Sequence, residues 1–496
     1  MSFSLFAKWK EGLFPLNYKL VFRLLGRLLL MEAALMLPSM GVSLIFRQGD
    51  TLAFLEAIAI TATIGVLLSF LLKPERDDLT ARDGMAVAGL SWVILSFFGA
   101  LPFVLSGAIP HIVDAFFEAV SGFTTTGSTI LTEIEHLPRG VLFWRSFTHW
   151  IGGMGVLVFT LAVLPRLSGR TSHLARAESP GPTFSKLLPK MGDTAKMLYA
   201  LYLGLSLIEA VCLLLAGMDL YDALIHTFGT AGTGGFSNYN ASVGAFHSPL
   251  IEWIIGVFMM LFGINFAVYF HLVRKEKEPI LQSEELWIYL SIVLVSTLLV
   301  TVSILPRYGG FFEALRYAFF QVTSIISTTG FGTTDFNLWP LFARALLLLL
   351  MCMGACAGST AGGIKTSRVL LLSKSAYRDL EHTIQPRKVA VVRLEGKAVQ
   401  ESTLAQVGVY LSLWVALAIG GTLLVSLESS DFVTAFTAVL TTLSNVGPGL
   451  NGVGPTENFA AFSPAAKLLL SFLMLAGRLE IYPILLLFSV HVWKKN

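Results

Sequence analysis

The sequence predicts an all-α polytopic membrane protein, and three observations carry that prediction. Of 496 residues, 54% are hydrophobic and 14% charged, with a mean hydropathy of +0.71, whereas soluble domains carry roughly 25% charged residues. Apolar runs of about 20 residues, enough to cross roughly 30 Å of hydrocarbon, recur along the chain. The first are LLGRLLLMEAALMLPSMGVSLIF, TLAFLEAIAITATIGVLLSFLL and AVAGLSWVILSFFGALPFVL. Finally, an uncharged stretch rich in glycine and hydroxyls recurs four times, each time between a short apolar run and a spanning one.

The first two runs, near residues 19–46 and 50–72, precede the recurring unit. The amino terminus is basic, but the first apolar run is of spanning length and lacks a cleavage site, so it reads as a helix and not as a signal peptide. Basic loops mark the cytoplasmic side. They are the segment with Lys8, Lys10, Lys19 and Arg23, and the loop from Arg166 to Lys196 with Arg170, Arg176, Lys186 and Lys190. A later one carries Lys374, Arg378, Arg387, Lys388, Arg393 and Lys397, and the chain ends HVWKKN. The opposite linkers, LTEIEHLP and SLESSD, are nearly free of bases. Both termini are therefore expected in the cytoplasm, which requires an even number of crossings. The net charge of +3 follows this topology and gives no reason to expect nucleic acid. Cys212, Cys352 and Cys356 lie in apolar segments, the last two on one helix face. Two thiols without histidine make a poor metal site, so all three are expected to be packing residues.

The recurring stretch appears as EAVSGFTTTGST, ending its polar run at Gly127, and as IHTFGTAGTGGFS, ending at Gly234. TSIISTTGFGT ends at Gly330 and AVLTTLSNVGPG at Gly447. Each short run opens with or near an acid (Asp114, Asp222, Glu313 or Asp431), as a helix amino terminus prefers. About a dozen residues cannot cross a bilayer, so these are expected to be half-helices that enter from outside and turn back. Non-helical backbone at membrane depth is tolerated only inside protein or beside water. Four copies around one axis would line a wet path with carbonyls, each half-helix pointing its negative end inward, which favours a cation. Glycine permits the positive φ this needs. Neutral oxygens suit a monovalent ion, whereas calcium wants carboxylates, and the polar runs that end at these four glycines hold none.

Two features bear on control of such a path. Between Gly354 and Gly363 the chain contains only small residues. Gly354, Gly358 and Gly362 would share a face of a packed helix. Glycine this dense weakens helix, and Lys365 follows, so the spacing predicts an unwound loop beneath the third stretch. Arg478 falls midway along the last apolar run. An arginine at bilayer centre costs at least about 2.5–3.5 kcal/mol, so it must face protein or water. Glu480 lies roughly 200° around an ideal helix and is a poor partner for it. An ion pair with another helix stands as the alternative to a barrier in the path. His149 and His226 are candidate proton carriers, or simply packed and hydrogen-bonded.

SGFTTTGS, AGTGGFSNYNASVGAF, STTGFGTTDFNLWP and LSNVGPGLNGVGPTENFAAFSPAAK together resemble the Trk/Ktr/HKT superfamily of potassium transporters, most closely its TrkH/TrkG branch. The likeness runs in order along almost the whole chain. It implies two additional helices over residues 1–75, then four M1–pore-helix–M2 repeats around one ion pore. Their boundaries are 76–170, 171–275, 276–400 (with an intramembrane gating loop) and 401–496, giving ten spans and four half-helices. By the same resemblance the selectivity filter falls on Thr125, Thr126 and Gly127, Thr233 and Gly234, Thr328, Thr329 and Gly330, and Asn445, Val446 and Gly447. The gate falls on Gly354, Gly358, Gly362, Gly363 and Lys365, with Arg478 as a positive barrier under the filter. Some relatives carry serine at the first filter glycine and favour sodium; Gly127 implies potassium. The resemblance further implies potassium uptake across the bacterial cytoplasmic (inner) membrane, a homodimer in lipid, and a separate cytoplasmic, nucleotide-binding regulatory ring of TrkA type. Potassium is then cargo, and no cofactor is expected on the chain.

Two rival classes fit less well. A sodium- or proton-coupled transporter of another small solute would show two inverted repeats, whereas these four units run in one orientation. A membrane enzyme would need a motif such as H-E-x-x-H or G-x-S-x-G, or paired intramembrane aspartates, and none occurs.

Overall fold

The computed structural model describes residues 16–72, 80–155, 191–388, 390–429 and 431–488. Lys8, Lys10, the basic residues from Arg166 to Lys190 and the basic carboxyl terminus lie outside them. Among the described residues six helices are long and apolar enough to cross a bilayer. They are Tyr18–Phe46, Thr51–Leu71, Arg82–Leu105, Gly192–Leu215, Glu284–Arg307 and Glu401–Val425. Their outward side chains are apolar: Leu71, Val302 and Leu423 are 73%, 69% and 64% exposed. A water-soluble fold would bury such residues, so the solvent of this surface is lipid. Buried hydroxyls on the spanning helices return to their own backbone, as Thr301 and Thr422 do to carbonyls four residues back.

The first two helices form a close hairpin. A Cβ on Gly26 would stand 2.8 Å from the Ser69 amide, and one on Gly65 would stand 3.0 Å from the Gly26 carbonyl. This hairpin is tied to the next span through Asp83. Its carboxylate accepts from the Thr80 amide in a capping box and from the Asn17 amide at 2.9 Å, joining the amino-terminal ends of the first and third helices.

Four short helices follow: Ile112–Phe123, Leu220–Gly232, Phe311–Ile326 and Phe432–Ser444. At 1.5 Å per residue none reaches across roughly 30 Å of hydrocarbon. All four opening acids stand at the amino-terminal ends of their helices, Asp114, Asp222 and Glu313 in the first turn and Asp431 at the cap, but they are used differently. Only Asp431 caps its helix, accepting from Val433 and Thr434. Asp219 caps the second, while Asp222 accepts from Asn238 and Tyr239. Asp114 instead pairs with Lys467 at 2.7 Å, and Glu313 accepts from the Gly309 amide.

After the short helices, the helix in the second apolar run of each unit stops short of a full span, an interruption the sequence suggested only at 354–363. Arg139–Gly153 ends at Met154, before Gly155 with φ +83. Pro249–Phe262 and Phe266–Val273 meet at 92°, the second piece capped by Asn265. Leu341–Met353 and Thr366–Ile384 are separated by the non-helical residues 354–365. Pro464–Arg478 and Tyr482–Leu487 are separated by a turn with Glu480 and Ile481 at positive φ. Arg478 therefore ends a helix and does not sit midway along one. Cys356, likewise, lies in the third break and shares no helix face with Cys352.

Candidate functional site

All four short helices end in one motif. Thr125, Thr233, Thr328 and Asn445 adopt left-handed backbone, with φ of 54, 56, 59 and 55. Each donates its amide to the carbonyl three residues back, and the next residue (Thr126, Gly234, Thr329 or Val446) donates to the carbonyl five back. This is the Schellman arrangement, which satisfies helix-end carbonyls. Glycine usually takes the left-handed position. A β-branched threonine there is a strained outlier costing on the order of 1–3 kcal/mol, and such strain gathers at functional sites.

The residue after this pair is a glycine with positive φ in every stretch: Gly127, Gly235, Gly330 and Gly447. Their neighbours close a ring. A Cβ on Gly127 would stand 2.0 Å from the Gly234 oxygen, and one on Gly235 would stand 2.0 Å from the Thr329 oxygen. A Cβ on Gly330 would meet the Val446 oxygen at 2.2 Å, and one on Gly447 would meet the Thr126 oxygen at 2.8 Å. The order first to second, second to third, third to fourth, fourth to first encircles one axis. A second set of bonds repeats the circle outside it. Ile134 donates to Asn240, Gly244 to Gly332, Asn451 to Asn337, and Phe459 to Thr129.

This geometry corrects the register of the second stretch. Gly235, not Gly234, stands with Gly127, Gly330 and Gly447; Gly234 takes the place of Thr126, Thr329 and Val446. The doublet Gly234–Gly235 made the two indistinguishable by composition, and only the helix-end hydrogen bonds separate them.

Thr126, Gly234, Thr329 and Val446 are all buried. Among the described residues none of their four carbonyl oxygens accepts a hydrogen bond. Buried carbonyls are rarely left unpaired, so four around one ring form a ready oxygen cage. Outside it, a cavity of about 250 Å³ opens, lined by all four ring glycines and by Arg145.

On the inner side, the broken helices press glycines under the turns. A Cβ on Gly152 would lie 1.8 Å from the Phe123 oxygen, and one on Gly477 would lie 2.1 Å from the Leu443 oxygen. The break at 354–365 lies here too. The Gly362 amide donates to the hydroxyl of ring residue Thr328 at 2.7 Å. Cys356 donates to Gly263, and Phe266 to Gly358, binding the third break to the second. Gly354 and Gly363, both at positive φ, bring the two limbs of the loop together. The buried ammonium of Lys365 donates to the Ala361 carbonyl. The Glu285 carboxylate holds the loop from a neighbouring helix, accepting from Ala357 at 2.7 Å and Ser367 at 2.9 Å. Glu285 was not legible as a site residue, because an acid opening a spanning helix looks like an ordinary first-turn charge.

Arg478 joins three elements. Its guanidinium donates to Thr360 in the loop at 2.7 Å, and to Gly152 and Gly153 at 2.6 and 2.7 Å. The last two carbonyls are the negative end of helix Arg139–Gly153, where a cation is favoured. Glu480 is turned elsewhere, accepting from Arg368 at 2.5 Å. The two histidines are packed residues. His226 contacts the Asp222 carbonyl and the Ser237 hydroxyl through its two ring nitrogens. His149 contacts the Gly122 carbonyl at 2.8 Å and lies against Gly234. Among the described residues no group of three His, Cys, Asp or Glu side chains could hold a metal ion.

Spanning helices around a closed ring of turns are the architecture of a polytopic membrane transport protein. The family model for TrkH, a cation transport protein, matches residues 51–306 and 310–495. The Trk system potassium uptake protein TrkH of Salmonella typhimurium is 37% identical over 97% of this chain and all of that protein. TrkG of Escherichia coli, another Trk system potassium uptake protein, is 33% identical over 96% of this chain and 99% of its own. The crystal structure of the potassium transporter TrkH from Vibrio parahaemolyticus aligns with a TM-score of 0.87 and 33% identity, covering 97% of this chain and all of that one. The chain belongs to the TrkH family of cation transport proteins.

Proposed function

We propose that the chain takes up potassium across the bacterial cytoplasmic membrane, with both termini in the cytoplasm, and that the ring is its selectivity filter. The observation that carries this reading is the closed circle of four buried, unpaired carbonyls. Carbonyl dipoles replace an ion's hydration shell without adding a competing charge. The carboxyl ends of four short helices add their negative ends at the same place. The filter residues are Thr125–Gly127, Thr233–Gly235, Thr328–Gly330 and Asn445–Gly447, one stretch from each of four M1–pore-helix–M2 repeats. The loop 354–365 acts as gate. Its bond to Thr328 and its grip by Arg478 and Glu285 would let a change on the cytoplasmic side reach the ring. A separate cytoplasmic nucleotide-binding ring supplies that change, acting on a homodimer. Flux through the purified chain with and without that ring and its nucleotide tests this part.

The filter itself is tested at Gly330. Gly330→Ser places a Cβ on the Val446 oxygen in a left-handed position. Reconstituted Gly330→Ser should lose most of its preference for potassium over sodium while remaining folded. Unchanged discrimination in the folded variant refutes the filter.

A further inference from the structure

The shared register of the four turns reveals a position the filter residues do not include. Seven residues before each left-handed residue stand Glu118, His226, Gln321 and Ala438. The first three are fully buried, and each reaches the strand leaving its own filter stretch. Glu118 accepts from the Thr129 hydroxyl at 2.8 Å and the Ile130 amide at 3.0 Å. His226 contacts the Ser237 hydroxyl at 3.0 Å, and Gln321 donates to the Thr333 hydroxyl at 3.5 Å. In the fourth, alanine stands at this position, and neighbouring Thr437 takes over by bonding the Leu450 carbonyl.

Only the first brace is ionic, and it alone spans two stretches. Arg145, 2% exposed, donates through Nε to Glu118 at 2.6 Å. Its Nη1 donates to the Ser237 carbonyl at 3.0 Å, two residues beyond Gly235. The guanidinium lies 3.5 Å from the centre of the Phe236 ring. Buried ion pairs are weak stabilisers, and well-packed apolar residues often do as well. An arrangement that fixes the exits of two adjacent stretches from one rigid fork has a geometric use instead. We propose that Glu118 and Arg145 are positioning residues for ion selection. Their pair sets the separation of the first and second filter stretches, and so the fit of the ring to its ion.

This proposal rests on the ring being the filter, so the test includes Gly330→Ser beside the brace variants. Glu118→Gln removes the charge with little change of shape, and Gln321 shows that a glutamine fits this helix position. Glu118→Gln/Arg145→Met removes both charges and strands neither. Potassium and sodium fluxes are measured in vesicles, with thermal melting of the same purified proteins. The expected result is a several-fold fall in the potassium-to-sodium flux ratio in both brace variants, with melting of the double variant close to the parent and that of Glu118→Gln, which strands the buried Arg145 charge, lower. A ratio unchanged in both variants overturns the proposal if Gly330→Ser lowers it. If Gly330→Ser also leaves it unchanged, the filter reading fails first and takes the proposal with it. Loss of the folded protein in both brace variants also overturns it, since the pair would then be holding the fold and not the ring.

Discussion

At the ring, four helices with different sequences end in the same pair of hydrogen bonds and the same two left-handed residues. On its inner side, the four breaks share no pattern. One is a turn at Met154–Gly155, one a 92° bend, one a loop of twelve residues (354–365), and one a turn through Glu480 and Ile481. If the ring is the proposed filter, an ion there would meet four groups at once, so each stretch would have to present its oxygen at the same height, which the repeated backbone fits. Nothing on the inner side needs four equal parts. There the chain differs by stretch, and one break has room to become a device.

The largest effect that could break this comparison lies in the second stretch. Gly235→Ala puts a Cβ 2.0 Å from the Thr329 backbone oxygen and also requires φ +77. No change of another side chain relieves that, so potassium flux should be nearly abolished. Gly234→Ala meets the His149 ring first, at 2.3 Å, and Gly234→Ala/His149→Ala should recover a substantial part of its flux. Rescue of Gly235→Ala, or equal failure of both positions in the double variants, would return the register to Gly234.

A smaller effect is expected at Arg478. Removing it leaves the Thr360 and Gly153 carbonyls without that donor, at about 1–3 kcal/mol for each buried group that water cannot reach, while Gly152 keeps the Gly155 amide. It also removes a fixed positive charge below the ring. Arg478→Ala should therefore carry more potassium at saturating concentration, with selectivity nearly unchanged and a lowered melting temperature. Arg478→Lys, a single point charge without the planar fork, should fall between. Lower flux in a folded Arg478→Ala would end the barrier reading.

The smallest effect concerns the contact between ring and loop. Thr328→Val keeps the β-branched shape but loses the acceptor for the Gly362 amide, a bond worth about 1 kcal/mol. Basal flux without the regulatory partner should rise modestly, with the potassium-to-sodium ratio preserved. A fall in that ratio at unchanged basal flux would move Thr328 from the gate contact to the filter alone.

Much of this plan was legible in the sequence. Short apolar runs followed by hydroxyls and glycine announced half-helices and turns, because length and the need for positive φ are local properties. The unwound 354–365 segment was legible for the same reason, its glycines being too dense for helix. The other breaks were not. Apolar periodicity does not change where a helix is interrupted at depth, and the turn through Glu480 and Ile481 carries no glycine. Arg478 announced itself by its cost in the bilayer, but its three acceptors are backbone carbonyls, which composition never reveals. Glu118 and Arg145 were missed because their meaning lies in a register that appears only when the four turns are compared.

The most direct test of the central account is to locate the ion. Crystals of the protein soaked in rubidium, a larger analogue of potassium with a usable anomalous signal, should show density on the ring axis. That density should lie within bonding distance of the Thr126, Gly234, Thr329 and Val446 carbonyls, and it should vanish in Gly330→Ser. Strong rubidium density elsewhere along the path, with none at these four oxygens, would contradict it.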